Sequence, residues 1–128
     1  MAQDLTNELN QFSLGPARNV AVGSGTTSFA GVDIRDYVGK ITCMVTTHSE
    51  HDLGSNSVVT SVLDSADDAT FAALTHATPI TTTASVAFGT ITVDTRQTKR
   101  YIQAKHVVTG TTQTCQWAVV GVGQKQVV

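Results

Sequence analysis

The sequence predicts an all-β fold: a single-domain antiparallel β-sandwich, jelly-roll-like, with a short N-terminal arm or helical turn. Three observations predict it. The chain carries 21 Thr and 17 Val among its 128 residues, and both branch at Cβ, which suits a pleated strand better than a helix. Short apolar-alternating runs recur about every ten residues, separated by Gly, Asn, Asp and Ser. No helix-length segment alternates with a strand, which argues against a parallel α/β sheet. At 128 residues one domain is expected, long enough to bury roughly two-thirds of its unfolded surface without staples.

Residues 1–18 read as an N-terminal arm and 19–128 as the sandwich. In the arm, Leu5 and Leu9 lie four apart behind Asp4 and Thr6, which could cap a helix. That is one turn of amphipathic pattern, and Gly15-Pro16 then breaks it. Strands are expected at Asn19–Val22, Ser28–Ile34, Gly39–His48, Val58–Ala66, Ser85–Asp94, Arg100–Gly110 and Gln113–Gly123. Ile41, Cys43 and Val45 fall on one face of the third. Asp67–Leu74 reads as a loop or one helical turn. The last two strands meet at "TGTT", which has the vocabulary of a short hairpin. Thr on one face with Val, Ile or Ala on the other suits sheets with one wet side.

Charge excludes some functions. Eight Lys and Arg against ten Asp and Glu give a formal net charge of −2. The densest basic stretch, "RQTKR" (Arg96–Arg100), is too short for a groove that tracks phosphates, so no direct nucleic-acid binding is expected. No run approaches the ~18 apolar residues of a membrane helix, and "MAQDLTNELNQF" lacks a signal-peptide core. Neither a membrane nor a secretory route is expected. Cys43 and Cys115 form no CxxC or zinc spacing; they read as two buried thiols of a reducing cytoplasm, with a cross-strand disulfide as the alternative.

The stretch "THSEHD" (Thr47–Asp52) holds His48, Glu50, His51 and Asp52. His-x-x-His beside carboxylates is metal-site vocabulary, but a structural zinc needs four protein ligands and a catalytic one three. His76 and His106 lie in unrelated contexts, and "LGSNS" follows as a loop. The cluster therefore reads as the polar end of a strand and the start of a hairpin loop. Any role would be a subunit contact whose charge changes between about pH 5.5 and 7.5. "DSADD" (Asp64–Asp68) lacks the order of a calcium loop and reads as turn initiation and capping. Nucleophile elbows and phosphate loops are absent. Aromatic residues are too few for a stacking platform, and Trp117 reads as core or interface. No catalytic, cofactor-binding or metal residue is assigned, and no enzyme activity or cofactor is expected.

One four-residue echo recurs, "VDIR" at Val32–Arg35 and "VDTR" at Val93–Arg96. Asp and Arg two apart share a face of an extended segment and could pair at the entry to each strand. The echo marks either matching corners of two sheets or coincidence.

Two stretches carry a family resemblance. "LDSADDATFAAL" supplies Ser65, Asp67, Asp68 and Phe71. "VDTRQTKRYIQAKHVVTGT" supplies Arg100, Tyr101, Ile102 and Gln103, then Thr109 and Gly110. Over most of Val32–Gly123 the chain resembles the capsid cement, or decoration, proteins of tailed bacteriophages. The resemblance implies a jelly-roll-like sandwich, made in the host cytoplasm and placed on the outer surface of the virion. Its implied partner is the major capsid protein, and its implied state a homotrimer that bridges shell subunits against internal DNA pressure. The expected contact elements are the N-terminal arm, testable by deleting residues 1–12, the loops Ser49–Ser57 and Pro79–Ser85, and exposed strand edges. The stretch "TPITTTAS" (Thr78–Ser85) would order on a partner. The alternatives are another phage morphogenesis component (tail, head–tail connector or fibre-associated), a ligand-binding β-sandwich, or a metalloenzyme using His48 and His51.

Overall fold

The structure, a computed structural model, describes residues 7–22, 25–47, 57–82, 88–109 and 113–126. Ten strands follow in chain order: β1 (Asn7–Val22), β2 (Gly25–Ser28), β3 (Val32–Asp33), β4 (Tyr37–Thr47), β5 (Ser57–Ser65), β6 (Ala72–Ala73), β7 (Ile80–Thr82), β8 (Phe88–Asp94), β9 (Tyr101–Thr109) and β10 (Gln113–Gln126). A single 3₁₀ turn, Thr95–Gln97, lies between β8 and β9. Every pairing is antiparallel.

The strands form two sheets. Sheet 1 has the order β1-β10-β4-β8. Sheet 2 has the order β2-β9-β5-β6, with β3 also on β9 and β7 also on β5. The pairs are nested: β1 with β10, β2 and β3 with β9, β4 with β8, and β5 with β6 and β7. A chain folded back on itself and rolled so that its nested pairs fall alternately in two sheets is a jelly roll. The all-β sandwich expected from Thr and Val content is therefore the observed fold.

Several local expectations need correction. "TGTT" is not a hairpin, because β9 belongs to sheet 2 and β10 to sheet 1. Nor is the connection after "THSEHD", because β4 and β5 also lie in different sheets. Residues 7–18, expected in the arm or a helical turn, belong to β1, whose partner β10 meets it from Asn7↔Gln126 to Val22↔Gln113. The turn-like Gly15-Pro16 is accommodated by register breaks between Ser13 and Gly15 and between Gly15 and Arg18. Ser28–Ile34 is split between β2 and β3. The stretch at 78–85, expected to lack a scaffold, holds β7, paired to β5 from Ile80↔Thr60 to Thr82↔Val58.

The core follows from the period of two. Ile41, Cys43 and Val45 of β4 are buried as expected. They meet Val58 and Val62 of β5, Ile91 and Val93 of β8, Ile102 and Ala104 of β9, and Val119 of β10. Cys43 is a free thiol, and burial pushes its pKa up to about 12, so it packs as a small hydrophobe and stays unreactive. The side chain of Cys115 lies outside the described residues.

Two glycines of "VVGVG" shape this core. Gly121 lies opposite Phe12 of β1, and a Cβ there would enter the Phe12 ring. At Gly123 a Cβ would meet Tyr37 at 2.8 Å and Ile41 at 2.9 Å. The bare backbone of β10 thus seats two rings, which pack on each other at 5.1 Å between centroids. Gly121→Val is expected to lower stability by about 1–3 kcal/mol through overpacking. Phe12→Ala in the same chain should recover part of that loss in a chemical-denaturation cycle. Additive losses would show that the ring and the glycine do not share space.

Candidate functional site

His48, Glu50, His51 and Asp52 lie outside the described residues. Among the described residues no group of three or more His, Cys, Asp or Glu side chains is arranged to hold a metal. The aspartates of "DSADD" take separate tasks. Asp67 Oδ1 accepts the N–H of Ala69 and of Thr70, each at 3.0 Å, and the Ser65 hydroxyl at 2.7 Å. These donors, Thr70 first, bring its carboxyl down to about 2. Asp64 instead accepts the N–H of Lys99 at 2.9 Å through Oδ2. Asp68 adopts a φ of 58°, a left-handed turn conformation that Asp tolerates. Its side chain and the Phe71 ring fill the space where a Cβ on Gly31 would stand. The stretch is a turn locked against the β2–β3 bend.

The two echoes meet at one end of the sandwich. Val32↔Ile102 and Asp33↔Tyr101 bring β3 beside the start of β9. Asp33 Oδ2 accepts from Arg100 Nε at 3.1 Å and Nη2 at 2.9 Å, and the expected pair is present too, with Arg35 Nε 3.8 Å from Asp33 Oδ2 and the Arg35 N–H donating to Oδ1 at 3.1 Å. Arg100, first among the causes, lowers the Asp33 pKa. In the second echo the expected pair is present: Arg96 Nη2 lies 3.3 Å from Asp94 Oδ2. The Arg96 side chain and then its N–H bring the Asp94 carboxyl down to about 2. Both aspartates close a strand rather than open one, which corrects the expected position. Asp33, Asp64 and Asp94 together hold the 94–100 connection as it crosses from sheet 1 to sheet 2.

The histidines beyond "THSEHD" are structural. His76 Nε2 accepts the N–H of Asp94 at 3.1 Å and ties the 74–79 loop to β8. His106 is only 2% exposed. Its Nδ1 shares a 2.8 Å hydrogen bond with the Thr60 hydroxyl, and its ring meets Phe29 edge-on at 5.3 Å. Burial pulls its pKa down to about 4.

Two clefts open near the pinned corner. One, of about 120 Å³, is lined by Ile34, Tyr37, Thr98 and Arg100 among others. The other, of about 270 Å³, lies between Lys40, His76, Thr92, Asp94 and Gln97. Both fall below the ~300–1,000 Å³ of ordinary small-molecule sites. No helix among the described residues is long and apolar enough to cross a membrane.

The candidate site is instead a surface, the outer face of sheet 1. Its rows run Gln11–Val122–Thr42–Thr92 and Ser13–Val120–Met44–Thr90, then Ala118–Thr46–Phe88. All these residues are exposed or half-buried, none is charged, and Phe88 is 66% exposed. A wet sheet face normally carries Lys and Glu. This one presents Thr, Val, Met and Phe with Gln, Ser and Ala, and shares with an interface core its lack of charge. The alternation was readable in the sequence. That these runs lie side by side was not, because strand order is non-local. Trp117 has no described side chain. Of the expected contact elements, residues 7–12 are strand β1, Ser57 opens β5 and Ile80–Thr82 form β7, while 1–6, 49–56 and 83–85 lie outside the described residues.

No protein-family model matches the chain, and no curated protein matches it. Solved structures share its fold. The PBSX exported protein XepA superposes with a TM-score of 0.62 at 14% identity over 93% of this chain. A chain of infectious bursal disease virus, Gx strain, does so with 0.61 at 11% identity over 95%. This chain spans 38% and 37% of their respective lengths. At these identities the likeness shows a shared fold.

The buried imidazole makes stability pH-dependent. Above about pH 6.5 His106 is neutral in both folded and unfolded chains. As pH falls from there to about 4, the unfolded chain takes up a proton that the folded chain refuses, so stability falls. Below about 4 the loss levels off. Its full size is about 3 kcal/mol. Denaturation at pH 7 and pH 4 is expected to show that His106→Leu with Thr60→Val loses less stability on acidification than wild type by about this amount. Parallel pH profiles would show that His106 does not carry the effect.

Proposed function

We propose that the chain is a virion structural protein without enzymatic activity, and specifically a capsid cement or decoration protein. It binds the outer surface of an icosahedral phage shell as a homotrimer, bridges neighbouring major capsid proteins, and stabilises the shell against internal DNA pressure. No direct contact with nucleic acid or membrane enters this reading. The observation that carries it is the uncharged middle of the outer face of sheet 1, bounded at one end by Lys40 and Asp94, on a jelly roll, an architecture used by viral capsid domains. The family resemblance over Val32–Gly123 and the fold shared with a virus chain and with XepA support the same reading.

The physics suits repetition. A flat face of Thr, Val and Met gives a modest interface, with little charge to desolvate. Copies placed regularly around a shell multiply modest contacts through avidity, and a trimer matches a local three-fold axis. Another phage morphogenesis component remains the second reading, because the fold is shared with an exported protein of PBSX. Copies confined to one vertex, or rings of isolated protein, would favour it.

Shells assembled without the chain are expected to release DNA at a lower temperature than complete particles, and adding purified protein should restore the higher one. Thr42→Glu with Met44→Glu, at outward positions of β4, should leave the melting of the free protein nearly unchanged and abolish the rescue. Equal release temperatures with and without the protein would contradict the stabilising role. A test of the arm is confined to deleting residues 1–6, since residues 7–12 form strand β1.

A further inference from the structure

An exposed strand edge offers unpaired N–H and C=O groups to any other chain, and proteins blunt such edges with Pro, Lys, bulges or shortness. Most of the edges here are blunted. Strand β1 carries Pro16 and two register breaks. The outer strands of sheet 2 have only two to four residues each. Strand β8 has none of these devices. Its seven residues, FGTITVD, include no Pro, Lys or Arg. It follows β4 without a break from Phe88↔Thr46 to Asp94↔Lys40. Among the described residues no strand pairs with its other side.

The outward groups can be identified. The N–H of Asp94 points away from β4, since it donates to His76 Nε2. Alternate residues of an antiparallel strand face the same way, so Thr92 and Thr90 also turn their N–H and C=O outward. His76 covers the end of the edge, and among the described residues nothing pairs with its middle, where Thr90 and Thr92 are exposed.

We propose that β8 is a self-pairing edge, through which two copies of this chain join antiparallel about a two-fold axis at Ile91. The inference goes beyond the shell reading and stands without it. The sequence of β8 complements itself in this register. Thr90 faces the partner's Thr92 and Thr92 the partner's Thr90, each pair exchanging two backbone bonds. Threonine pairs of this kind are favourable across strands. Ile91 faces the partner's Ile91 on the core side, where it is buried. Asp94, the strand's one charged residue, faces the partner's Phe88, so no like charges oppose. The two copies of sheet 1 then become one continuous sheet, and the uncharged row ending at Thr92 runs on into the row that begins at the partner's Thr90. The contact is isologous. In a trimeric protein it links one trimer to the next.

The test uses the full chain and its mass in solution across a concentration series. Wild type is expected to rise towards twice its base mass. Thr90→Lys with Thr92→Lys, and separately Thr90→Glu with Thr92→Glu, set like charges opposite each other and should each lose the rise. An equimolar mixture of the two should regain it. Backbone amides of Thr90 and Thr92 should exchange hydrogen more slowly as wild type is concentrated, a readout that needs no variant. Wild type of one mass with concentration-independent exchange would overturn the proposal, as would association that the lysine pair leaves unchanged, or a mixture that does not re-associate. If wild type keeps one mass while the lysine pair loses shell binding, the edge docks the shell protein and self-pairing is wrong, with the shell reading intact.

Discussion

Half of the sandwich waits for the last strand. Strand β10 lies between β1 and β4, so sheet 1 has no centre until Gln113–Gln126 arrive. Asn7 pairs with Gln126 and Trp117 with Thr47, contacts that join distant parts of the chain. Val119 covers the core face beside Val45, and Gly121 and Gly123 seat Phe12 and Tyr37. Loop-closure entropy must be met before these contacts form. The fold therefore assembles as a unit, and its ends are held by its middle. The polar pins at Asp33, Asp64 and Asp94 act within that frame. They fix where the chain crosses between sheets and add order at one corner, while exposed ion pairs such as Arg100 with Asp33 contribute little energy of their own.

Much of this was legible one strand at a time. The Thr and Val content, the period of two in "KITCMV" and the turn residues located β4, β5, β8, β9 and β10 to within a few residues, and they placed Ile41, Cys43 and Val45 inside. Pairing was not legible. A Gly-containing connection has the same local chemistry whether it closes a hairpin or carries the chain to the facing sheet, so "TGTT" was read as the wrong one. Residues 7–18 were obscured for a related reason. Leu5 and Leu9 suggest a helix, and Pro16 argues against a strand, but an edge strand with bulges tolerates Pro. The "VDIR" and "VDTR" echo marked two aspartates that end strands, Asp94 in β8 and Asp33 in β3. Its stronger partner, Arg100, lies 67 residues from Asp33, beyond any local rule. In sequence His106 stands only as a histidine in a context unrelated to "THSEHD", and its hydroxyl partner Thr60 required the β5–β9 register.

Fold alone does not give function, since jelly rolls serve capsids, lectins and cupins alike. What separates these uses is where the chemistry lies. Here the two clefts at the pinned corner are small, and Asp33, Asp64, Asp67, Asp94, His76 and His106 serve turns, crossings and the core. The uncharged material lies on a broad outer face and runs to an unblunted edge. A surface of this kind suits contact with other proteins better than turnover of a small molecule. The residues that make this face are plain ones, Thr42, Met44, Thr90 and Val122, aligned by the fold.

The most direct test of the proposed function is to purify virus particles from the source of the chain, image them, and count its copies against the shell protein. The account predicts many copies in regular array on the outside, related by the shell's symmetry, with the outer face of sheet 1 or the β8 edge against a neighbour. Particles that carry no copies, or copies only inside the shell, would contradict it.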